Sequence, residues 1–219
     1  MSNFLKESFE KNNFKCTDID DEILLVEDFL SKEELASLWD IINTRPEEDW
    51  SIEYVKNLKR FCLEKFGRDD VDNLVAEGKF EITKNWNDKN LQITEYEVTG
   101  TIHTRVNSLV KQLDDSLELG GFGTMQRMQE KVQLKSHTDQ HTDPSIRYAT
   151  ILYLNDDYVD GELFFEHLDI ELKPKPGSLL VFPGTEKYEH GVRFVGDGPI
   201  RYVIVGFIRE KDHYEKNRY

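Results

Sequence analysis

Apolar residues recur at two different spacings along this 219-residue chain, and the change from one to the other divides it. In the front part, Leu35, Leu38, Trp39 and Ile42 fall at steps of three and four, which predicts one buried helical face. Ser31-Lys32-Glu33-Glu34 precedes them in the form of a capping box, where serine and glutamate each satisfy a backbone N–H of the first turn. The same spacing predicts a second helix through Ile52, Val55, Leu58 (or Lys59), Cys62 and Phe66. A third runs through Val106, Leu109, Val110, Leu113 and Leu117. Ile23-Leu24-Leu25-Val26 fits a first strand. Gly120-Gly121-Phe122-Gly123 reads as a breaker, and β-rich runs follow it: Thr124–Met128, Val132–Ser136, Arg147–Leu154, Glu162–Glu166, Leu168–Leu172, Ser178–Phe182, Gly191–Val195 and Ile200–Ile208. Turn-prone pieces such as Asn155-Asp156-Asp157 and Gly196-Asp197-Gly198-Pro199 separate them. Short strands at this spacing fit a double-sheet jelly roll. The predicted fold is therefore mainly β with α. A double-stranded β-helix (jelly-roll) core at about 120–209 is supported by N-terminal helices at about 1–119 and followed by a charged tail at 210–219, all as one domain.

Composition narrows the function. A net charge of −15 opposes phosphate-tracking surfaces, so nucleic acid is not the expected partner. No apolar run approaches the ~20 residues that span a bilayer, and the first residues lack the apolar stretch of a secretory signal. Cys16 and Cys62 could form one bridge at most; two buried thiols in a reducing, cytoplasmic setting are the simpler expectation.

The chemistry begins at His137-Thr138-Asp139. If this segment is a strand, an imidazole and a carboxylate two residues apart share one face. A histidine from a distant strand would then complete a set of two His and one carboxylate, which leaves positions open on Fe(II). His190, before an apolar run, suits that part. His141-Thr142-Asp143 repeats the spacing four residues on, and the residues alone do not choose between the two pairs.

Longer runs supply a context. These are Arg147-Tyr148-Ala149-Thr150-Ile151-Leu152-Tyr153-Leu154-Asn155, Asp160-Gly161-Glu162-Leu163-Phe164-Phe165 and Pro174-Lys175-Pro176-Gly177-Ser178-Leu179-Leu180-Val181-Phe182. Glu189-His190-Gly191-Val192 and Gly198-Pro199-Ile200-Arg201-Tyr202-Val203-Ile204 close the series. In order and spacing, the run from His137 to Phe207 resembles the Fe(II)/2-oxoglutarate dioxygenases of the prolyl 4-hydroxylase-like branch. The resemblance implies an Fe(II) site at His137, Asp139 and His190. The first pair is implied over His141 and Asp143 by its register with Leu134 and with the Arg147 strand. It implies 2-oxoglutarate and dioxygen as co-substrates, with ascorbate as an optional reductant.

Arg201 stands where the family keeps the Arg or Lys that anchors the distal carboxylate of 2-oxoglutarate, a task its planar fork suits. Tyr153 resembles the family tyrosine that meets the same group, and Thr150 is a further candidate. Three residues apart, Tyr153 and Thr150 do not share a face of a regular strand. Arg147 matches an arginine that contacts peptide substrate in this branch, and it equally suits a surface ion pair. Trp86 falls where such enzymes often have a substrate loop, or it packs. Met128 replaces a common tyrosine, Gln129-Glu130-Lys131-Val132 replaces a Gly-rich stretch, and Asp160-Gly161 replaces a doubled glycine. These departures alter the pocket wall. The expected activity is hydroxylation of a prolyl residue in a peptide or protein. The alternatives are the same chemistry on a free amino acid, small metabolite or alkylated base, and a jelly-roll metal-binding module without turnover.

Overall fold

The computed structural model describes residues 2–46, 88–92 and 97–211. The predicted helix through Ile52 and Phe66, Trp86 and Cys62 lie outside these residues.

Helix α1 (Ser2–Lys11) leads into strands β1 (Lys15–Asp20) and β2 (Ile23–Glu27), then helix α2 (Lys32–Thr44). Strand β3 (Asp88–Gln92), helix α3 (Glu97–Leu113) and strand β4 (Leu117–Met128) follow. After β5 (Leu134–His137) comes a single helical turn, α4 (Asp139–Thr142), and then β6 (Ile146–Tyr153), β7 (Leu163–Phe165), β8 (Ile170–Leu172) and β9 (Leu179–Pro183). A 3-10 turn (Glu186–Tyr188) precedes β10 (His190–Val192) and β11 (Arg201–Glu210). A seven-stranded sheet in the order β1-β2-β9-β6-β11-β4-β3 faces a four-stranded sheet in the order β5-β10-β7-β8. The ladders within each sheet are antiparallel.

Two apolar layers hold this arrangement, and the period-2 alternation of the central strands feeds both. Leu152, Leu179, Val181 and Ile204 point to the helical side, where they meet Leu38, Ile102, Val106 and Leu109. Ala149, Ile151, Tyr153, Leu180, Phe182 and Val203 point the other way, to Leu163, Phe165 and Val192 of the smaller sheet. Strands covered on both faces need apolar residues at every position, which is why β9 is buried throughout. At the start of α2, Glu34 accepts from the Ser31 N–H while Ser31 Oγ accepts from the Glu34 N–H, completing the expected capping box. Arg105 of α3 pairs with the same Glu34 and donates to the Phe29 carbonyl, so this cap also docks the two helices.

Three expectations need correction. The region before residue 120 holds more than the helices and the expected strand at Ile23–Val26, which is β2: β1 and β3 also extend the larger sheet from it. Leu117 does not continue the third helix but opens β4. The glycine cluster at 120–123 does not break the chain; it lies within β4, where the register against β11 slips on both sides of Gly206. Glycines in a strand interior commonly mark such bulges. No helix among the described residues is long and apolar enough to cross a membrane.

Candidate metal centre

His137, the last residue of β5, and His190, the first of β10, are direct cross-strand partners. Their rings therefore lie on one face, with centroids 4.6 Å apart. Asp139 does not sit on a strand beside His137, as expected, but opens the α4 turn. The turn still carries its carboxylate back: Oδ1 is 3.7 Å from His137 Nε2, and Oδ2 is 3.9 Å from His190 Nε2. Such separations fit donors converging on one ion at ~2.0–2.2 Å each. Among the described residues, this is the one cluster of three such groups close enough to share a metal.

The donors are prepared for that task. His137 Nδ1 lies 2.9 Å from the Lys135 carbonyl and His190 Nδ1 lies 3.0 Å from that of Tyr188. A carbonyl only accepts, so Nδ1 carries the proton in each ring and Nε2 keeps its lone pair. Burial pushes the Asp139 carboxyl up to about 6, against the pull of His137. Burial, with the neighbouring His137, pushes His190 down to about 3. Asp139 Oδ2 has no hydrogen-bond partner. A divalent cation would meet the orphan oxygen and both lone pairs at once; the residues fit Fe(II). Phe182 closes the inner side with its ring edge-on to His190 at 4.6 Å, while His137 remains partly exposed and marks the open side.

The duplicate pair has other work. Asp143 Oδ1 accepts from the N–H and hydroxyl of Ser145, and Oδ2 pairs with Arg209 at 3.3 Å, while His141 is exposed. Gly191 fixes the neighbouring register. A Cβ there would lie 2.5 Å from the Leu134 carbonyl and 2.7 Å from the Phe164 ring, and backbone cannot yield cheaply. Gly191→Ala is expected to part β10 from β5, lowering Fe(II) affinity by roughly ten- to a hundredfold, as loss of a ligand's supporting contacts typically does. Metal titration by calorimetry checks this.

Arg201, at the start of β11, is 1% exposed, and no carboxylate of the described residues neutralises it. Its Nη1 donates only to the Met128 sulfur, at 3.6 Å, and Nε and Nη2 have no partner. The Tyr153 ring centroid lies 5.5 Å from the guanidinium, and the Tyr153 hydroxyl is also buried and unpartnered. Burial raises that phenol's pKa well above its ordinary value, with Arg201 opposing. A buried guanidinium without a counter-ion is costly, so this position suits an anion. Thr150 does not belong to this group: its hydroxyl donates across to the Gly206 carbonyl of β11, and it lies on the face of β6 that presents Leu152 to the helices, whereas Tyr153 faces between the sheets. Alternation, which separates residues three apart, is the reason. Of the two readings of Arg147, the structure realises the ion pair: Nε donates to Glu210 at 2.9 Å. Tyr158 was not singled out in the sequence, because it lies in a turn-like stretch with no periodic signal, yet its ring centroid is 5.7 Å from Arg201.

Residues 123–209 match the family model described as the 2OG-Fe(II) oxygenase superfamily. These residues are thus similar to a 2OG-Fe(II) oxygenase core. A stretch of 76 residues is 32% identical to human prolyl 3-hydroxylase 2, covering 32% of this chain and 11% of that protein. The chain thus spans about a tenth of the length of that curated relative. Solved structures with the same fold include a prolyl hydroxylase from Trichoplax adhaerens in complex with a hypoxia inducible factor peptide fragment. It superposes with a TM-score of 0.65 at 14% identity, over 100% of this chain and 93% of that one. A viral collagen prolyl hydroxylase from Paramecium Bursaria Chlorella virus-1 gives 0.58 at 16% identity, over 87% and 97%. A Pseudomonas putida prolyl-4-hydroxylase gives 0.60 at 14%, over 95% and 99%. The His137, Asp139 and His190 cluster and the unneutralised Arg201 all lie within the matched residues.

Two left-handed residues explain how the core accepts its altered turn. Asp160 and Gly161 have φ of 50° and 70°. Aspartate tolerates this region better than most side chains, so it can stand where the family has a first glycine. Gly161 is constrained further, because a Cβ would come within 3.1 Å of Val195 and 3.3 Å of Tyr158.

Proposed function

We propose that this chain is a 2-oxoglutarate-dependent hydroxylase that acts on a prolyl residue of a peptide or protein. The observation that carries the reading is a pairing between the two sheets: a cluster of two His and one carboxylate, in which Asp139 and His190 are buried and His137 is partly exposed, and a buried arginine left without a counter-ion. His137, Asp139 and His190 would hold Fe(II), and Arg201 with Tyr153 would hold the distal carboxylate of 2-oxoglutarate. When bound, the ferrous ion supplies the coupling of co-substrate decarboxylation, which yields succinate and carbon dioxide, to oxygen insertion at an aliphatic C–H bond. The protein orients the co-substrate from its far end through Arg201 and, through the Nδ1 hydrogen bonds, fixes the ring orientation that presents Nε2 of both imidazoles to the metal. Phe165, Phe182 and Val192 exclude water behind the metal.

The prolyl substrate is supported by the proteins this chain resembles, which include a viral collagen prolyl hydroxylase and a prolyl hydroxylase in complex with a hypoxia inducible factor peptide fragment. Residues 1–219 are read as one domain, in which β1, β2 and β3 widen the larger sheet and the helices cover its outer face. A reducing, cytoplasmic setting belongs to the same reading, supported by the unbridged thiol of Cys16, although that residue is half-buried rather than buried. The test is incubation with Fe(II), 2-oxoglutarate, dioxygen and a panel of proline-containing peptides, with succinate assay and mass spectrometry. The expected result is succinate formed together with a peptide that gains one oxygen atom on proline. Succinate with a gain on a free amino acid or metabolite instead would overturn the prolyl assignment.

A further inference from the structure

We propose that Tyr158 is a co-substrate-binding residue, supplying to the Arg201 pocket a phenol that enters from the segment after β6; this rests on the reading above. At Met128, where the family commonly has a tyrosine, the cross-strand neighbour of Arg201 is a thioether, which offers the guanidinium only a weak acceptor and has no proton to give. Tyr158 lies beside the same guanidinium, its ring centroid 5.7 Å away. It is 2% exposed, and its hydroxyl has no partner. Burial raises its pKa while the nearby Arg201 opposes, so the phenol stays a protonated donor.

The donor count defines the ligand. Arg201 Nε and Nη2 and the hydroxyls of Tyr153 and Tyr158 are all buried and unpartnered. An ionised carboxylate offers about four acceptor positions, which these donors can fill together. A neutral chain end could not, and it would leave the guanidinium uncompensated.

Tyr158 is held for the purpose. Lys173 Nζ donates to the Tyr158 carbonyl at 2.7 Å and stands 4.5 Å from the ring centroid, so the ring has a cation near it in both Lys173 and Arg201. The Asn155 side chain donates to the Ile200 carbonyl at 2.7 Å and accepts from the Tyr202 N–H at 2.8 Å. It thereby clamps the end of β6 to both neighbours of Arg201. Tyr158 and Arg201 are thus set by one hydrogen-bonded corner.

The experiment compares wild type, Tyr158→Phe and Arg201→Met, each loaded with Mn(II) without turnover, by equilibrium dialysis with 2-oxoglutarate and with oxalate. Oxalate can chelate the metal but has no distal carboxylate. Tyr158→Phe keeps the ring and its cation contacts and removes one hydrogen bond to a charged group, a loss of about tenfold or more in 2-oxoglutarate affinity. Oxalate affinity and thermal midpoint should stay as in wild type, an outcome that a merely structural role for the ring would not give. Unchanged 2-oxoglutarate affinity in Tyr158→Phe, with loss in Arg201→Met, would overturn the role of Tyr158 and leave the pocket standing. Equal weakening of both ligands would also overturn it. Failure of wild type to bind 2-oxoglutarate would overturn both this assignment and the functional reading.

Discussion

Asp139→Asn is expected to cost more than ~100-fold in Fe(II) affinity and abolish turnover, since even supporting residues around a metal site cost 10- to 100-fold. The same change should leave the metal-free protein more stable at neutral pH. The Asp139 carboxyl titrates at about 6 in the folded protein, above its ordinary value of ~3.9, chiefly because it is buried. An acid whose folded pKa is raised binds its proton more tightly when folded. The metal-free protein therefore gains stability as pH falls from about 6 towards 4 and carries a penalty above 6. That penalty is roughly 2–3 kcal/mol by linkage. Asparagine removes the charge and most of the penalty. Thermal unfolding of metal-free wild type and variant at neutral and mildly acidic pH should converge at the lower pH. This separates loss of the site from loss of the fold.

Arg201→Met is expected to raise the dissociation constant for 2-oxoglutarate by on the order of 10²- to 10⁴-fold while Fe(II) affinity stays within a few-fold. Two charge-assisted hydrogen bonds at ~1.5–3 kcal/mol each account for that span. Methionine suits the site because the guanidinium already lies against the Met128 sulfur. The fold should tolerate the change, because a buried cation without a counter-ion stabilises nothing until its anion arrives. Separate calorimetric titrations of metal and co-substrate read the two effects independently. A parallel loss of both would mean that Arg201 supports the metal site rather than the co-substrate.

The eight β-rich runs after residue 120 all correspond to strands, because in this half of the chain turn residues and apolar alternation agree. The first half was less legible. Strand β1 is Lys-Cys-Thr-Asp-Ile-Asp, an edge strand whose polar residues need no buried face, so no periodic signal marks it. The glycine cluster misled because glycine is read locally as a breaker, whereas pairing with β11 across bulges holds it in a strand. At the site, His137, Asp139 and His190 come together in the structure, but by a helical turn at Asp139 rather than by strand alternation. Arg147 could not be resolved between two roles until the position of Glu210 on β11 was known. Tyr158 was illegible because its importance comes from the corner made by Asn155 and Lys173, which joins segments distant in the chain.

One Fe(II) is expected to be bound by His137, Asp139 and His190, with 2-oxoglutarate beside it. Anaerobic titration followed by visible spectroscopy tests it most directly, because chelation of ferrous iron by a 2-oxo acid gives a weak charge-transfer band. A band is expected only when Fe(II) and 2-oxoglutarate are both present, retained in His141→Ala and lost in His137→Ala. A band absent from wild type, or kept in His137→Ala and lost in His141→Ala, would contradict it.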